Sequence, residues 1–270
     1  MSSAEQYVIR GGIKGRERLR ILGRVMASSS AALFDRLALR DGQVCIDVGC
    51  GGGDASLEIA RRVAPRGRVV GMDLDEVKLQ IAREEAALQN VPNVEFHHLD
   101  FRDHVADGAY DVVYARFLLT HLSDPTAALR AFFAYVKPGG TIAVEDIDFS
   151  GHFTYPPSHA AERYFELYRA TVHRRGGDPD IGPKLPALLF DAGFDEVDVA
   201  VVQPVGLTGE AKLLNPLTLQ GIADAVLADG LASKDELDHV IAELFSYAVN
   251  PRTVAGLPRV VQTWGRRPTS

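Results

Sequence analysis

Val44-Cys-Ile-Asp-Val-Gly-Cys-Gly-Gly-Gly-Asp54 reads as a buried strand that runs straight into a glycine turn and then a helix. Glycines at 49, 51 and 53 leave no side chain between the backbone and a ligand. A dinucleotide fingerprint, G-x-G-x-x-G, would place its third glycine at position 54. Position 54 is Asp. A carboxylate there stands where a pyrophosphate needs bare helix N–H groups. Asp47, just before the turn, adds a second negative charge. Two acids repel a phosphate and attract a cation, so the turn predicts a positively charged nucleoside and disfavours NAD.

The stretch Arg68-Val-Val-Gly-Met-Asp73, twenty residues past Gly53, reads as a second strand ending on an acid. In nucleotide-binding α/β sheets an acid at that distance holds the ribose hydroxyls. A third strand, Val94-Glu-Phe-His-His-Leu99, runs into Asp100 and Phe101. Asp100 can accept a hydrogen bond from an adenine amino group while Phe101 packs the ring. S-Adenosylmethionine, a phosphate-free nucleoside carrying a sulfonium, meets these requirements together.

At these positions the chain resembles the class I S-adenosylmethionine-dependent methyltransferases. The resemblance rests on Asp47-Val-Gly-Cys-Gly51, Gly71-Met-Asp-Leu-Asp75 and Leu99-Asp-Phe101, in that order and at the family's spacing. It continues through Tyr110–Leu122, which looks like the fourth strand and its following segment. The Lys137-Pro-Gly-Gly140 turn before Thr141–Asp146 looks like the entry to the fifth. Residues 40–150 are covered. The resemblance implies a doubly wound, Rossmann-like α/β sheet of seven strands, mostly parallel with the last antiparallel. It also implies S-adenosyl-L-methionine as cofactor and a set of donor contacts. These are the backbone of Gly49, Cys50 and Gly51, Asp73 on the ribose and Leu74 on the adenine face. Asp100 and Phe101 meet the adenine edge, and Ala115 and Arg116 lie near the methionine part. Tyr7, Arg16 and Arg18 are candidates for closing the donor's amino-acid end, where an arginine can pair with the carboxylate.

Outside this core, residues 14–27 carry Leu19, Leu22 and Met26 on one helical face, and a second short helix is expected from Ser30 to Leu39. Residues 1–40 are therefore expected to form a helical lid, and 41–270 the methyltransferase domain. Helical insertions are expected at about 150–190 and at 207–253, the second between the last two strands. Ser233-Lys-Asp-Glu236 is a capping box that opens a helix of the second insertion. Residues 150–175 are the most aromatic part of the chain. Phe153, Tyr155, His152 and His159 there predict a pocket for a flat or partly apolar acceptor.

The 270 residues carry 29 basic and 36 acidic side chains, a net charge of −7. That balance disfavours a nucleic-acid or anionic-membrane partner. The two cysteines, Cys45 and Cys50, read as free thiols of a reducing compartment. Met-Ser-Ser-Ala-Glu-Gln has no signal-peptide core and no apolar run reaches spanning length, so a soluble cytoplasmic protein is expected. Homo-oligomerisation stays open.

Methyl transfer from a sulfonium is an in-line displacement in which the enzyme chiefly aligns donor and acceptor and excludes water. A base is needed only where the acceptor must lose a proton. His121, six residues past Ala115, is the first candidate, and packing the segment after strand four is its bland alternative. Glu145, Asp146 and Asp148 cluster at the end of strand five, where open α/β sheets bind ligands. Alternation points Glu145 and Asp146 to opposite faces, so at most one faces the pocket, and Asp146 is the second catalytic candidate. No metal is expected, because metal-dependent enzymes resembling this fold place an acid at the end of strand four, where this chain has Ala115-Arg116. The Asn/Asp-Pro-Pro-aromatic turn of nucleobase amino-methyltransferases is absent too. The expected function is methyl transfer to an oxygen, nitrogen or activated carbon of a small molecule. The alternatives are a cyclase-like reaction on the same fold, methylation of RNA or protein, and an NAD-dependent dehydrogenase.

Overall fold

Alternation along the central strands builds two cores, one on each face of a single sheet. The computed structural model describes residues 13–105 and 108–269. In β1 (Val44–Val48), Cys45 packs on one face and Ile46 and Val48 on the other. In β4 (Tyr110–Arg116), Val112 and Tyr114 join Cys45, whereas Val113 and Ala115 join Ile46. The first face is covered by α1 (Ile13–Arg36) and α2 (Asp54–Val63) through Leu33, Phe34, Leu57 and Ile59. The second is covered by α4 (Pro125–Tyr135) and α6 (Leu185–Asp191) through Leu129, Phe132, Leu185 and Leu189. Both faces being buried, these strands are apolar almost throughout.

The sheet runs β3-β2-β1-β4-β5-β10-β7, with β2 (Arg68–Asp73), β3 (Val94–His98), β5 (Val136–Asp148), β7 (Asp195–Val202) and β10 (Arg259–Arg266). All neighbours pair in parallel except β10, which is antiparallel to both β5 and β7. This is the expected mostly parallel, doubly wound sheet with its last strand reversed. Register positions the ligand-binding edge. Val48 pairs with Met72 on one side and Ala115 on the other. The glycine turn, Asp73 and Arg116 therefore emerge together at the carboxyl edge, next to the strand-order reversal where open α/β sheets bind ligands.

The N-terminal helix differs from expectation. It is one 24-residue element rather than two, although Ser28-Ser-Ser30 lies in its middle. The serines find partners without breaking the helix. Ser29 Oγ donates back to Met26 O at 2.9 Å, and Ser30 Oγ donates to the Glu145 carboxylate at 2.8 Å. Between β2 and β3, α3 (Glu76–Leu88) is capped by Asp75, whose carboxylate accepts from Val77 N and Lys78 N. Its inward face is Leu79, Ile81 and Ala82, while Val77 and Leu88 are exposed.

The insertions form a cap with its own core. It comprises α5 (His159–Arg174), α7 (Glu210–Ala228) and α8 (Lys234–Val249). Tyr164, Phe165, Leu219, Ile222, Leu237 and Leu244 pack together there with Phe149 at the end of β5. Ser233 caps α8 by accepting from Glu236 N, as the capping box predicts. A second small sheet stitches the insertions together: β6 (Phe153–Tyr155) and β8 (Val205–Gly206) both pair with β9 (Val254–Gly256). Buried Lys212 fixes the cap further, donating to Leu207 O, Asn250 O and both oxygens of Thr253. No helix among the described residues is long and apolar enough to cross a membrane.

Candidate active site

At the carboxyl edge of the sheet, two cavities meet. A groove of about 790 Å³ runs over the ends of β2 and β3, past Asp73, Leu74, Asp100 and Phe101. A smaller chamber of about 130 Å³ lies between the glycine turn, α1 and the cap. Gly49, Phe117 and His121 line both, so these residues stand at the junction.

The glycine turn is built from the inside. Gly49 N and Cys50 N both donate to Met72 O, at 2.8 and 2.9 Å, and Gly51 N donates to Asp73 Oδ2 at 2.9 Å. A phosphate cradle needs such N–H groups aimed outward. Here they are spent on β2, and the turn offers space and carbonyl oxygens, which suit a cation. Gly53 caps α2 at φ 80°, and a Cβ there would lie 2.8 Å from the Ala82 methyl and 2.9 Å from the Phe96 ring. No side chain fits that position. The Cys50 thiol turns inward onto Leu79, Ala82 and Phe96, and burial raises its pKa, so the residue offers the cleft its backbone.

Asp54 is not the N-cap of α2 but its first residue. Its carboxylate pairs with Arg116 at 2.6 Å, and Arg116 also donates to Ser30 Oγ at 3.1 Å. Asp47 is buried beside them and accepts from Ser56 Oγ at 2.5 Å. Burial pushes its pKa up to about 7, against the opposing pull of the Ser56 hydrogen bond and Arg116. A cation arriving beside Asp47 would favour the ionised carboxylate.

In the groove, Asp73 accepts Gly51 N and Asp75 N, which leaves lone pairs for hydroxyls. Leu74 is 42% exposed, a large apolar side chain presented beside Asp73. Phe101 packs edge-on against Phe132 with its other side to the groove. Asp100 is occupied: Arg102 Nε donates to it at 2.9 Å and Arg102 N at 3.0 Å, and the arginine holds its pKa below the usual carboxylate range. An adenine amino group there must share the acid with Arg102.

Several expected residues lie elsewhere. Ala115 is buried in the core with Ile46 and Val113 and lines neither cavity. Asp146 is 0% exposed and also lines neither. Its carboxylate accepts Thr120 N at 3.0 Å, Ile147 N at 2.8 Å and the Leu119 amide, so it anchors the 3₁₀ turn Leu119–His121. Burial pushes its pKa up to about 7. Glu145, on the opposite face, accepts from Ser30, Tyr114 and Gln262 under α1. Asp148 caps the following turn and pairs with Arg259. The three acids are thus dispersed into separate structural tasks. Phe153, Tyr155 and His159 are exposed, and His152 stacks on Phe165 at 3.5 Å; none lines the chamber. The aromatic lining comes from Phe117, Phe149, Tyr164 and Tyr168 instead. Tyr7 lies outside the described residues, and the Arg16 side chain is not described. Arg18 lines the chamber rather than the groove, and its Nε donates to Thr218 Oγ1 on α7 at 3.0 Å.

Phe117 carries no signal in the sequence. It adopts φ 55°, a left-handed conformation rare for an aromatic residue, immediately after β4. Such strain of about 1–3 kcal/mol survives only where surroundings enforce it, and here it sits at the junction of the two cavities.

His121 stands at the same junction, 7% exposed. Burial, with Lys78 and Arg18 nearby, lowers its pKa from 6.5 to about 3. The imidazole is neutral at working pH and can accept a hydrogen bond. Below pH 6.5 the unfolded chain takes up a proton that folded His121 refuses, so stability falls as pH falls towards 3. Between pH 7.5 and 5 this costs about 2 kcal/mol at ~1.36 kcal/mol per pK unit. In urea unfolding, the wild type is expected to lose about 2 kcal/mol more over that interval than His121→Gln. Equal losses would mean that His121 protonates freely in the fold.

Known proteins share this sequence pattern and fold. A family model described as a methyltransferase domain matches residues 39–178. The chain is 36% identical to the ubiquinone biosynthesis O-methyltransferase of Acinetobacter baumannii, over 40% of this chain and 45% of that protein. Among solved structures, Haemonchus contortus phosphoethanolamine N-methyltransferase 2, in complex with phosphomonomethylethanolamine and S-adenosylhomocysteine, superposes with a TM-score of 0.58. The identity is 16%, covering 89% of this chain and 52% of that one. The [4+2]-cyclase SpnF superposes with a TM-score of 0.55 at 20% identity, covering 90% and 81%. These two likenesses are of fold. The chain spans between 31% and 64% of the length of the first curated relatives it matches.

Proposed function

The chain belongs to the class I S-adenosylmethionine-dependent methyltransferases, and on that premise we propose that it methylates a small, partly apolar molecule held beneath the helical cap. The observation that carries this reading is the pair of cavities meeting at Gly49, Phe117 and His121. The groove fits the nucleoside of the donor; the chamber, lined by Asp47 and the glycine turn as well as by the cap, takes the donor's amino-acid tail and a compact acceptor. A chamber of about 130 Å³ suits a small molecule better than a protein side chain or a nucleobase still attached to its polymer. The net charge of −7 supports the same choice.

S-Adenosylmethionine supplies, when bound, an electrophilic methyl on a sulfonium whose departure needs no acid. The chain's own residues do the rest. Asp73 holds the ribose diol, and Leu74 and Phe101 flank the adenine. The carbonyls of the glycine turn, with Asp47, receive the ammonium of the amino-acid tail. Phe117 and His121 shape the point at which donor and acceptor meet. Phe149, Tyr164 and Tyr168 press the acceptor towards that point and keep water out, which is where most of the rate enhancement for such a displacement originates. His121, neutral and buried at the junction, is placed to accept a hydrogen bond from the acceptor rather than to remove its proton. With so low a basicity, the chemistry suits an acceptor that attacks without first losing a proton, an anionic oxygen or a neutral amine.

Likeness in fold to a cyclase supports a second reading, in which the donor binds without being consumed. Incubation with S-adenosylmethionine labelled at the methyl group and a library of small acceptors separates the two. Methyl transfer yields a labelled product and one S-adenosylhomocysteine per turnover. A product formed with no S-adenosylhomocysteine would overturn the methyltransferase reading in favour of the cyclase.

A further inference from the structure

The charged residues that line the chamber are Asp47, Asp54, Arg116 and, on α1, Arg18. Most of its wall is apolar or aromatic, but α1 contributes Arg18 and α7 contributes Asn215 and Thr218. Arg18 spends Nε on Thr218 Oγ1, and Thr218 in turn hydrogen-bonds Tyr164. Among the described residues Arg18 has no carboxylate partner, so its terminal guanidinium nitrogens keep their donors. Asn215 precedes Thr218 by nearly one helical turn, lines the chamber and is 5% exposed. Its side-chain amide makes no hydrogen bond among the described residues. The two acids that line the chamber already have partners: Asp47 accepts from Ser56 and Asp54 pairs with Arg116.

We propose that the Arg18 corner of the chamber receives an anionic oxygen group of the acceptor, which makes the acceptor a compact carboxylic acid with an apolar or aromatic body. Arg18 supplies the charge and a planar fork of donors that matches a carboxylate. The Asn215 amide supplies a further donor. Phe149 and Tyr168, stacked with centroids 4.2 Å apart, form the apolar wall behind. A cationic amine in the same place would face Arg18 with no carboxylate to offset it. The assignment moves Arg18 from the donor's carboxylate to the acceptor's, and it rests on the methyl-transfer reading of the chamber.

The test uses the full chain loaded with S-adenosylhomocysteine and a panel of matched acid and amide pairs: benzoate and benzamide, phenylacetate and phenylacetamide, cinnamate and cinnamamide. Binding is read by calorimetry. At least one acid is expected to bind ten times more tightly than its amide. In Arg18→Gln that preference should disappear while affinity for S-adenosylhomocysteine stays within twofold, and in Arg18→Lys part of it should return. Asn215→Ala should weaken the acid severalfold and leave the amide nearly unaffected. Equal binding of acids and amides, no binding of any acid, or a preference that survives Arg18→Gln would overturn the proposal. So would a tenfold loss of S-adenosylhomocysteine affinity in Arg18→Gln, which would return Arg18 to the donor. Failure of the unaltered chain to bind S-adenosylhomocysteine would instead strike the methyl-transfer reading itself.

Discussion

Asp73→Ala is expected to weaken S-adenosylhomocysteine binding about a hundredfold. Two hydroxyls on a charged acceptor contribute about 1.5–3 kcal/mol each, and about 3 kcal/mol in sum corresponds to that factor. The loss has a second source. Asp73 Oδ2 braces Gly51 N and Oδ1 braces Asp75 N, so truncation loosens the glycine turn and the start of α3 together. Asp73→Asn separates the two effects, since an amide keeps one oxygen acceptor and the shape of the side chain. It should recover part of the affinity and most of the stability. Calorimetric titration of each variant, with circular dichroism to verify folding, provides the measurement. An affinity within threefold of wild type in Asp73→Ala would confine the residue to bracing the turn and remove it from the ribose.

Asp146→Ala should be the most destabilising single change near the site, by about 3–5 kcal/mol. It leaves the amides of Leu119, Thr120 and Ile147 without their acceptor in a fully buried place, at about 1–3 kcal/mol each before relaxation. For a chain of this size that corresponds to a fall in Tm of roughly 10 °C. Asp146→Asn should recover part of the loss. A melting temperature close to wild type, accompanied by abolished turnover, would make Asp146 a catalytic group after all and contradict the anchoring role. The effect on turnover is expected to follow the fraction folded, with a modest additional loss because the anchored turn ends at His121.

The groove and the glycine turn were legible because their signals are local. Short apolar runs, the glycine turn and an acid at the end of each of two strands are each contained in a few residues, and parallel pairing then brings them to one edge. The alternation rule likewise assigned Glu145 and Asp146 to opposite faces. It did not tell what waits on each face: the 119–121 turn on one, Ser30, Tyr114 and Gln262 on the other. The break expected in α1 failed for a similar reason, because Ser30 is satisfied by a glutamate 115 positions away. The chamber beneath the cap was least legible. Asn215 and Thr218 sit on a helix whose pattern speaks only of packing, and they reach the chamber through contacts between distant segments. The exposed aromatics Phe153 and Tyr155 drew attention by composition, yet they belong to a three-residue strand that pairs with β9. Phe117 carries no sequence signature at all; its positive φ follows from the way β4 ends against Glu145 O, which accepts its N–H at 2.8 Å.

A crystal structure of the chain with S-adenosylhomocysteine tests the central claim most directly. The ribose diol is expected on Asp73, adenine between Leu74 and Phe101, the amino-acid tail over Gly49 and Asp47, and sulfur turned to the junction of Phe117 and His121. S-Adenosylhomocysteine lying outside the groove, or a diphosphate seated on the glycine turn in a parallel soak with NAD, would contradict it.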